Sequence, residues 1–158
     1  MPMRDVRNPM APSPPVAAKA ADTDALHNPH FVRIGGSSAV TRLVDAFYAQ
    51  MDQLPEARAI RALHPADLAP VKDVLTRYLT EWLGGPSLYS SERGHPRLRR
   101  RHRHFPIDEA ARDAWMLCMT RALDQVVEDP ALRQTLAQAF FRTADFIRND
   151  ARTTGHNA

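Results

Sequence analysis

The apolar residues of this chain recur at helical spacing through successive stretches, and nowhere do they alternate over enough residues to make a strand. Val40, Leu43, Val44, Phe47, Tyr48 and Met51 fall at i, i+3, i+4, i+7, i+8 and i+11, one stripe of a helix predicted from about Ser37 to Gln53. Leu68, Val71, Val74, Leu75, Tyr78, Leu79 and Trp82 repeat the pattern until Gly84-Gly85-Pro86. Glycine adopts the left-handed conformation that closes a helix, and proline cannot continue one. A third stripe, Trp115, Cys118, Met119, Ala122, Leu123 and Val126, follows Asp108 as a predicted N-cap. A fourth, Leu132, Leu136, Ala139, Phe140, Thr143 and Ile147, follows Asp129-Pro130, an N-cap with proline at the first helical position. The fold class is all-α.

Between the first two long helices, PEARAIRALHPADL predicts a short helix ended at His64-Pro65, because the residue before a proline is pushed out of the helical region. The first 29 residues hold Pro2, Pro9, Pro12, Pro14, Pro15 and Pro29 and few large apolar side chains. They cannot bury enough surface to offset the entropy of ordering, so a disordered tail is expected over 1–29, one folded domain over 30–150 and a flexible end over 151–158. The prolines oppose the amphipathic helix of an import peptide. Apolar runs fall far short of the roughly 18 to 20 residues that span a bilayer. A single cysteine, Cys118, excludes an internal disulfide, and with no apolar signal segment the expected compartment is the cytoplasm. The net charge of +3 is local, concentrated between Arg97 and Arg103.

That charge sits in the connection from Gly84 to Trp115, longer than the roughly 2 to 8 residues that usually join bundle helices. It carries His95, His102 and His104 together with Arg97, Arg99, Arg100, Arg101 and Arg103. Histidines among arginines serve a metal or haem, a nucleic acid, or a solvated surface. The nucleic-acid reading lacks the interleaved aromatic side chains on which bases stack. Pro96 is predicted to open a short helix in which Leu98 and His102, four apart, share a face, while Arg97 with Arg101 and Arg99 with Arg103 occupy others. His102 is then the histidine best placed to point inward.

Over residues 30–150 the sequence resembles the group II truncated haemoglobins, small 2-over-2 helical globins. The resemblance rests on Gly35-Gly36 after a short first helix, the Phe47-Tyr48 pair, Gly84-Gly85-Pro86, the run GHPRLRRRH from Gly94 to His102, and Trp115 early in the third long helix. It implies two helix pairs, B with E and G with H, sandwiching haem b, iron protoporphyrin IX. It further implies that His102 is the proximal iron ligand, its second ring nitrogen satisfied by a carbonyl or water. Leu98 and Phe105 would contact the porphyrin. Arg101, and next Arg99, would hold propionates, since a guanidinium fork matches a carboxylate. His104 departs from the family pattern.

On the distal side the resemblance places Tyr48, His64 and Trp115 as three candidate donors to a diatomic ligand, with apolar Val71 and Leu75 facing the iron. Each donor to a partly charged ligand contributes ~1 to 3 kcal/mol, and each ~1.4 kcal/mol slows release tenfold. Tight binding of O2, with NO and CO as further ligands, is the expected function, at rates too slow for efficient oxygen transport. His64 is also a candidate second ligand to the iron in the resting state. Phe47, Tyr78, Trp82, Met119 and Phe140 are candidates to touch the porphyrin but are read as core. The alternative is a redox enzyme, a nitric oxide dioxygenase or peroxidase-like activity. It would need an external reductase, because no flavin or nicotinamide domain fits in 158 residues. A third reading is a helical regulatory module without haem. The implied partners are diatomic gases, a reductase under the redox reading, and a second copy of the chain if it forms a homodimer; nucleic acid and membrane are not expected.

Overall fold

A computed structural model describes residues 30–149. The chain runs through α1 (His30–Ile34), α2 (Gly36–Gln53), a 3-10 turn (Pro55–Ala57) leading directly into α3 (Arg58–Ala62), α4 (Ala69–Trp82), α5 (Ser90–Arg93), α6 (Leu98–Arg101), α7 (Glu109–Val126) and α8 (Pro130–Ile147). Among the described residues there is no strand. The tail predicted over 1–29 and the end predicted over 151–158 lie outside the described residues.

The long helices begin and end for the reasons their sequences give. The Asp108 carboxylate accepts from the Ala111 backbone N–H at 2.8 Å and caps α7, and Asp129 accepts from Ala131 at 3.0 Å and caps α8 ahead of Pro130. At the end of α4, Gly84 N–H donates to the Glu81 carbonyl and Gly85 N–H to Thr80 at 2.8 Å, with Gly84 in a positive-φ conformation. That paired closure satisfies carbonyls the helix would otherwise leave bare.

The buried face of α2, including Leu43, Phe47 and Met51, packs on α7 through Met119 and Leu123. Each of these side chains is almost wholly removed from water, which favours the fold by about 1.5 to 3 kcal/mol per large side chain. α4 lies against α2, and α8 against α7. The result is the 2-over-2 sandwich expected, with α2/α4 as one pair and α7/α8 as the other.

The long connection departs from expectation in two ways. It contains two short helices where one was predicted. The additional one, α5, is too short and polar to register as a periodic stripe, and it starts where the Glu81 carboxylate accepts from the N–H groups of Tyr89 (3.1 Å) and Ser90 (2.8 Å). Nor does Pro96 open α6, which starts at Leu98 after Arg97 adopts a left-handed conformation (φ 48°, ψ 55°). The Arg97 N–H donates to Nδ1 of His95 at 3.1 Å, so a turn replaces the predicted first helical positions.

Candidate cofactor-binding site

α4, α6 and the α7/α8 pair do not close on one another. Between them is a cavity of about 430 Å³, walled mainly by apolar side chains. α2 contributes Tyr48 to it, the end of the α3 segment contributes His64, α4 contributes Val71 and Leu75, and α7 contributes Trp115. From α6 and the residues just after it come Leu98, Arg101, His102 and Phe105. Phe47 lies behind this wall, its ring centroid 4.9 Å from that of Tyr48 and 5.0 Å from that of Trp115, and so fixes both.

The two histidines on the cavity are held in one tautomer. Nδ1 of His102 lies 2.8 Å from the Leu98 carbonyl oxygen, and Nδ1 of His64 lies 2.8 Å from the Ile60 carbonyl oxygen. A carbonyl only accepts, so each Nδ1 carries a proton, and in the neutral form of such a ring the lone pair is on Nε2. That is the form a metal ligand needs. For His64 the same bond leaves Nε2 as the ring nitrogen not engaged by the protein.

Two further groups on the cavity carry donors. Tyr48 is buried, and burial pushes its hydroxyl up to about 12, so it stays protonated throughout the neutral range. The indole N–H of Trp115 is a donor only. Among the described residues neither group has a hydrogen-bond partner.

The arginines divide. Arg101 lines the cavity, where its Nε donates to the Pro96 carbonyl at 2.7 Å and its guanidinium lies 5.6 Å from the centroid of the Tyr89 ring. Its terminal nitrogens remain available for a carboxylate. Arg99 is not in the cavity wall; its guanidinium sits over the Phe146 ring at 5.5 Å. His95 and His104 are exposed and contribute nothing to the wall.

The sequence model of the bacterial-like globins matches residues 30–149. A group 2 truncated haemoglobin of Bacillus subtilis is 39% identical over 114 residues, covering 72% of this chain and 84% of that protein. The chain belongs to the group II truncated haemoglobins. The group II 2-on-2 haemoglobin of Agrobacterium tumefaciens superimposes with a TM-score of 0.74 at 44% identity, covering 76% of this chain and 93% of that one. A truncated haemoglobin structure from Bacillus subtilis, described as oxygen-avid, gives a TM-score of 0.69 at 35% identity over 77% of this chain and 99% of that one.

Membership makes haem the cofactor of this globin and ligand binding at haem its chemistry. The residues fit that cofactor: an apolar cavity, an imidazole on its wall whose Nδ1 is held by a carbonyl, an arginine beside it, and two donors, Tyr48 buried and Trp115 half-buried, with no partner among the described residues. Three side chains read from the sequence as core, Tyr78, Trp82 and Phe140, also line the cavity: Phe140 is buried in the core cluster and Tyr78 and Trp82 pack against it, while Phe47 and Met119 are core only. A signal for two of them was present. Val71, Leu75, Tyr78 and Trp82 share one face of α4, so the face assigned to Val71 and Leu75 carries the other two with it. Trp82 and Phe140 stack at 4.5 Å across the gap between α4 and α8.

Arg112 was also missed. It lines the cavity but is committed to Asp145 at 2.7 Å, and that ion pair, with its hydrogen bonds, holds the guanidinium above its ordinary range. No periodicity marks such a residue.

Proposed function

We propose that this globin is a high-affinity binder of O2, and of NO and CO, using haem b held by His102. Supplied with this residue set, iron protoporphyrin IX offers a metal with an open position for a diatomic ligand. The reading is carried by one observation: Tyr48 and Trp115 bring an O–H and an N–H to the cavity with no described residue to accept them. Both point to a ligand with partial negative charge, the kind of acceptor that an O–H and an N–H on an apolar cavity would take. Val71 and Leu75 keep the same space apolar, which strengthens each hydrogen bond by excluding water. The oxygen-avid description of the Bacillus subtilis relative supports the same direction.

His102 would hold the iron through Nε2 while the Leu98 carbonyl fixes its ring. Arg101 would hold a propionate. His64 keeps its own Nε2 lone pair on the cavity, so we infer that it is the second imidazole available to the metal when no diatomic is present.

The purified ferrous protein is expected to show the Soret band of histidine-ligated haem, lost in His102→Ala; a band retained by that variant would reject the ligand assignment. Tyr48→Phe and Trp115→Phe are each expected to speed O2 release by roughly ten- to a hundredfold, the loss of one donor to a charged acceptor. Release rates unchanged in both would remove the proposed basis of tight binding. If His64→Ala leaves the ligand-free ferrous spectrum as it was, His64 does not bind the metal.

A further inference from the structure

Asn149 lies two residues beyond the end of α8 and directs its whole side chain at the segment that carries His102. Its Nδ2 donates to the His102 carbonyl at 3.1 Å and to the Phe105 carbonyl at 3.0 Å, and its Oδ1 accepts from the Ile107 N–H at 2.9 Å. Its own backbone N–H donates to the Ile107 carbonyl at 2.9 Å. Residues 102–107 join α6 to α7 without regular structure, so they lack the ladder of bonds that fixes a helix. One side chain supplies three of their anchoring hydrogen bonds, from the end of a helix whose Thr143, Ala144 and Ile147 line the same cavity.

We propose that Asn149 is the positioning residue for the iron ligand. The ring of His102 is held by the Leu98 carbonyl; its main chain is held locally by its own N–H on that carbonyl at 3.1 Å and by the Phe105 N–H on its carbonyl oxygen at 3.0 Å, and Asn149 alone ties it to another helix. Freed from Asn149, the backbone of His102 can drift and the imidazole with it, changing the angle and strength of the bond that Nε2 makes to a metal. The side chain must offer two donors and one acceptor at a fixed reach, which asparagine does. Aspartate would set a carboxylate against two carbonyl oxygens, and alanine would supply nothing. The proposal rests on the assignment of His102 as ligand.

The plain alternative is that Asn149 only closes a turn and contributes to stability. Detaching the ligand from the backbone separates the two. The iron–imidazole stretching band of the ferrous holoprotein is measured by resonance Raman in Asn149→Asp and Asn149→Ala, each carried with His64→Ala so that no second imidazole reaches the metal. The same substitutions are then measured in His102→Gly supplied with free imidazole. The native background should show a shifted or broadened band, and haem transfer to excess apomyoglobin should quicken roughly tenfold, on the scale of a lost hydrogen-bonded anchor. In the His102→Gly background the band should be indifferent to residue 149, because the imidazole no longer hangs from the main chain. An unchanged band in the native background overturns the proposal, and so does a shift that persists with free imidazole. Asn149→Ala, which adds no charge, provides the reading where the aspartate variant does not fold. Should His102→Gly show the wild-type band without added imidazole, it is the ligand assignment that falls.

Discussion

Tyr48 and Tyr78 both meet the cavity, and burial raises both phenols to about 12. For Tyr78 the neighbouring Tyr89 and Glu81 add to the effect of burial. An acid whose folded pKa is raised contributes stability below its unfolded value, near 10, and loses it as pH climbs through the folded value. The unfolded chain gives up these protons first, so stability should fall between pH 10 and 12, by about 1 kcal/mol for each tyrosine at pH 11. Denaturant unfolding of the apoprotein at pH 9 and pH 11 checks this. Tyr48→Phe and Tyr78→Phe should each reduce the difference between the two, and a difference identical in wild type and both variants would assign the alkaline loss to other groups. The same raised value has a functional side: Tyr48 remains a hydrogen-bond donor at any physiological pH.

Elements are tied to one another at points as specific as these side chains. α1 docks on the end of α4, where the Phe31 N–H donates to the Leu83 carbonyl at 2.8 Å and the Phe31 ring lies over Gly85. A Cβ at position 85 would come within 2.8 Å of that ring and 2.9 Å of the Thr80 carbonyl, the oxygen to which Gly85 N–H donates. Gly85→Ala should therefore cost about 1 to 3 kcal/mol, the range for overpacking, and release α1 from α4. Thermal unfolding measures the first, and hydrogen exchange at Phe31 the second; unfolding at the wild-type temperature would show that α1 yields without penalty. The doublet that contains Gly85 was readable as a helix stop, but its closeness to Phe31 was not, because no local pattern encodes contact between residues so far apart. The same division runs through the site. Stripes of α2, α4, α7 and α8 and the caps at Asp108 and Asp129 were legible, since periodicity and capping are local. Resemblance supplied His102, Tyr48 and Trp115. What stayed hidden depends on tertiary position: the departure of Arg99 to Phe146, the Arg112 pair with Asp145, and the clamp from Asn149. The tautomer of His64 was hidden for a smaller reason, because its partner Ile60 is near in sequence but the histidine ring orientation follows only from the coordinates.

At the scale of the whole molecule, the core backs one side of the site and not the other. Leu43, Phe47, Met51, Met119 and Leu123 bury one another between α2 and α7, and the same cluster continues into Tyr48 and Phe140 on the cavity wall. The wall formed by α6 and residues 102–107 has no such backing: no residue from Ser90 to Ile107 is fully buried, and Asn149 supplies much of the anchoring. Without a cofactor, the apolar wall of this partly open cavity of about 430 Å³ meets water, which disfavours holding the site in its open shape. The apoprotein can lower that cost by letting the weakest part of the wall move, and the weakest part is the segment from Ser90 to Ile107. Haem should reverse the effect by mass action, stabilising only the closed form. Hydrogen exchange followed by mass spectrometry should then find α2 and α7 protected in both states, and residues 98–107 exchanging fast in the apoprotein and slowly once haem is added. Uniform fast exchange across α2, α7 and 98–107 without haem would mean that the sandwich cannot stand alone, and unchanged exchange at 98–107 on haem addition would mean that this segment does not close the site.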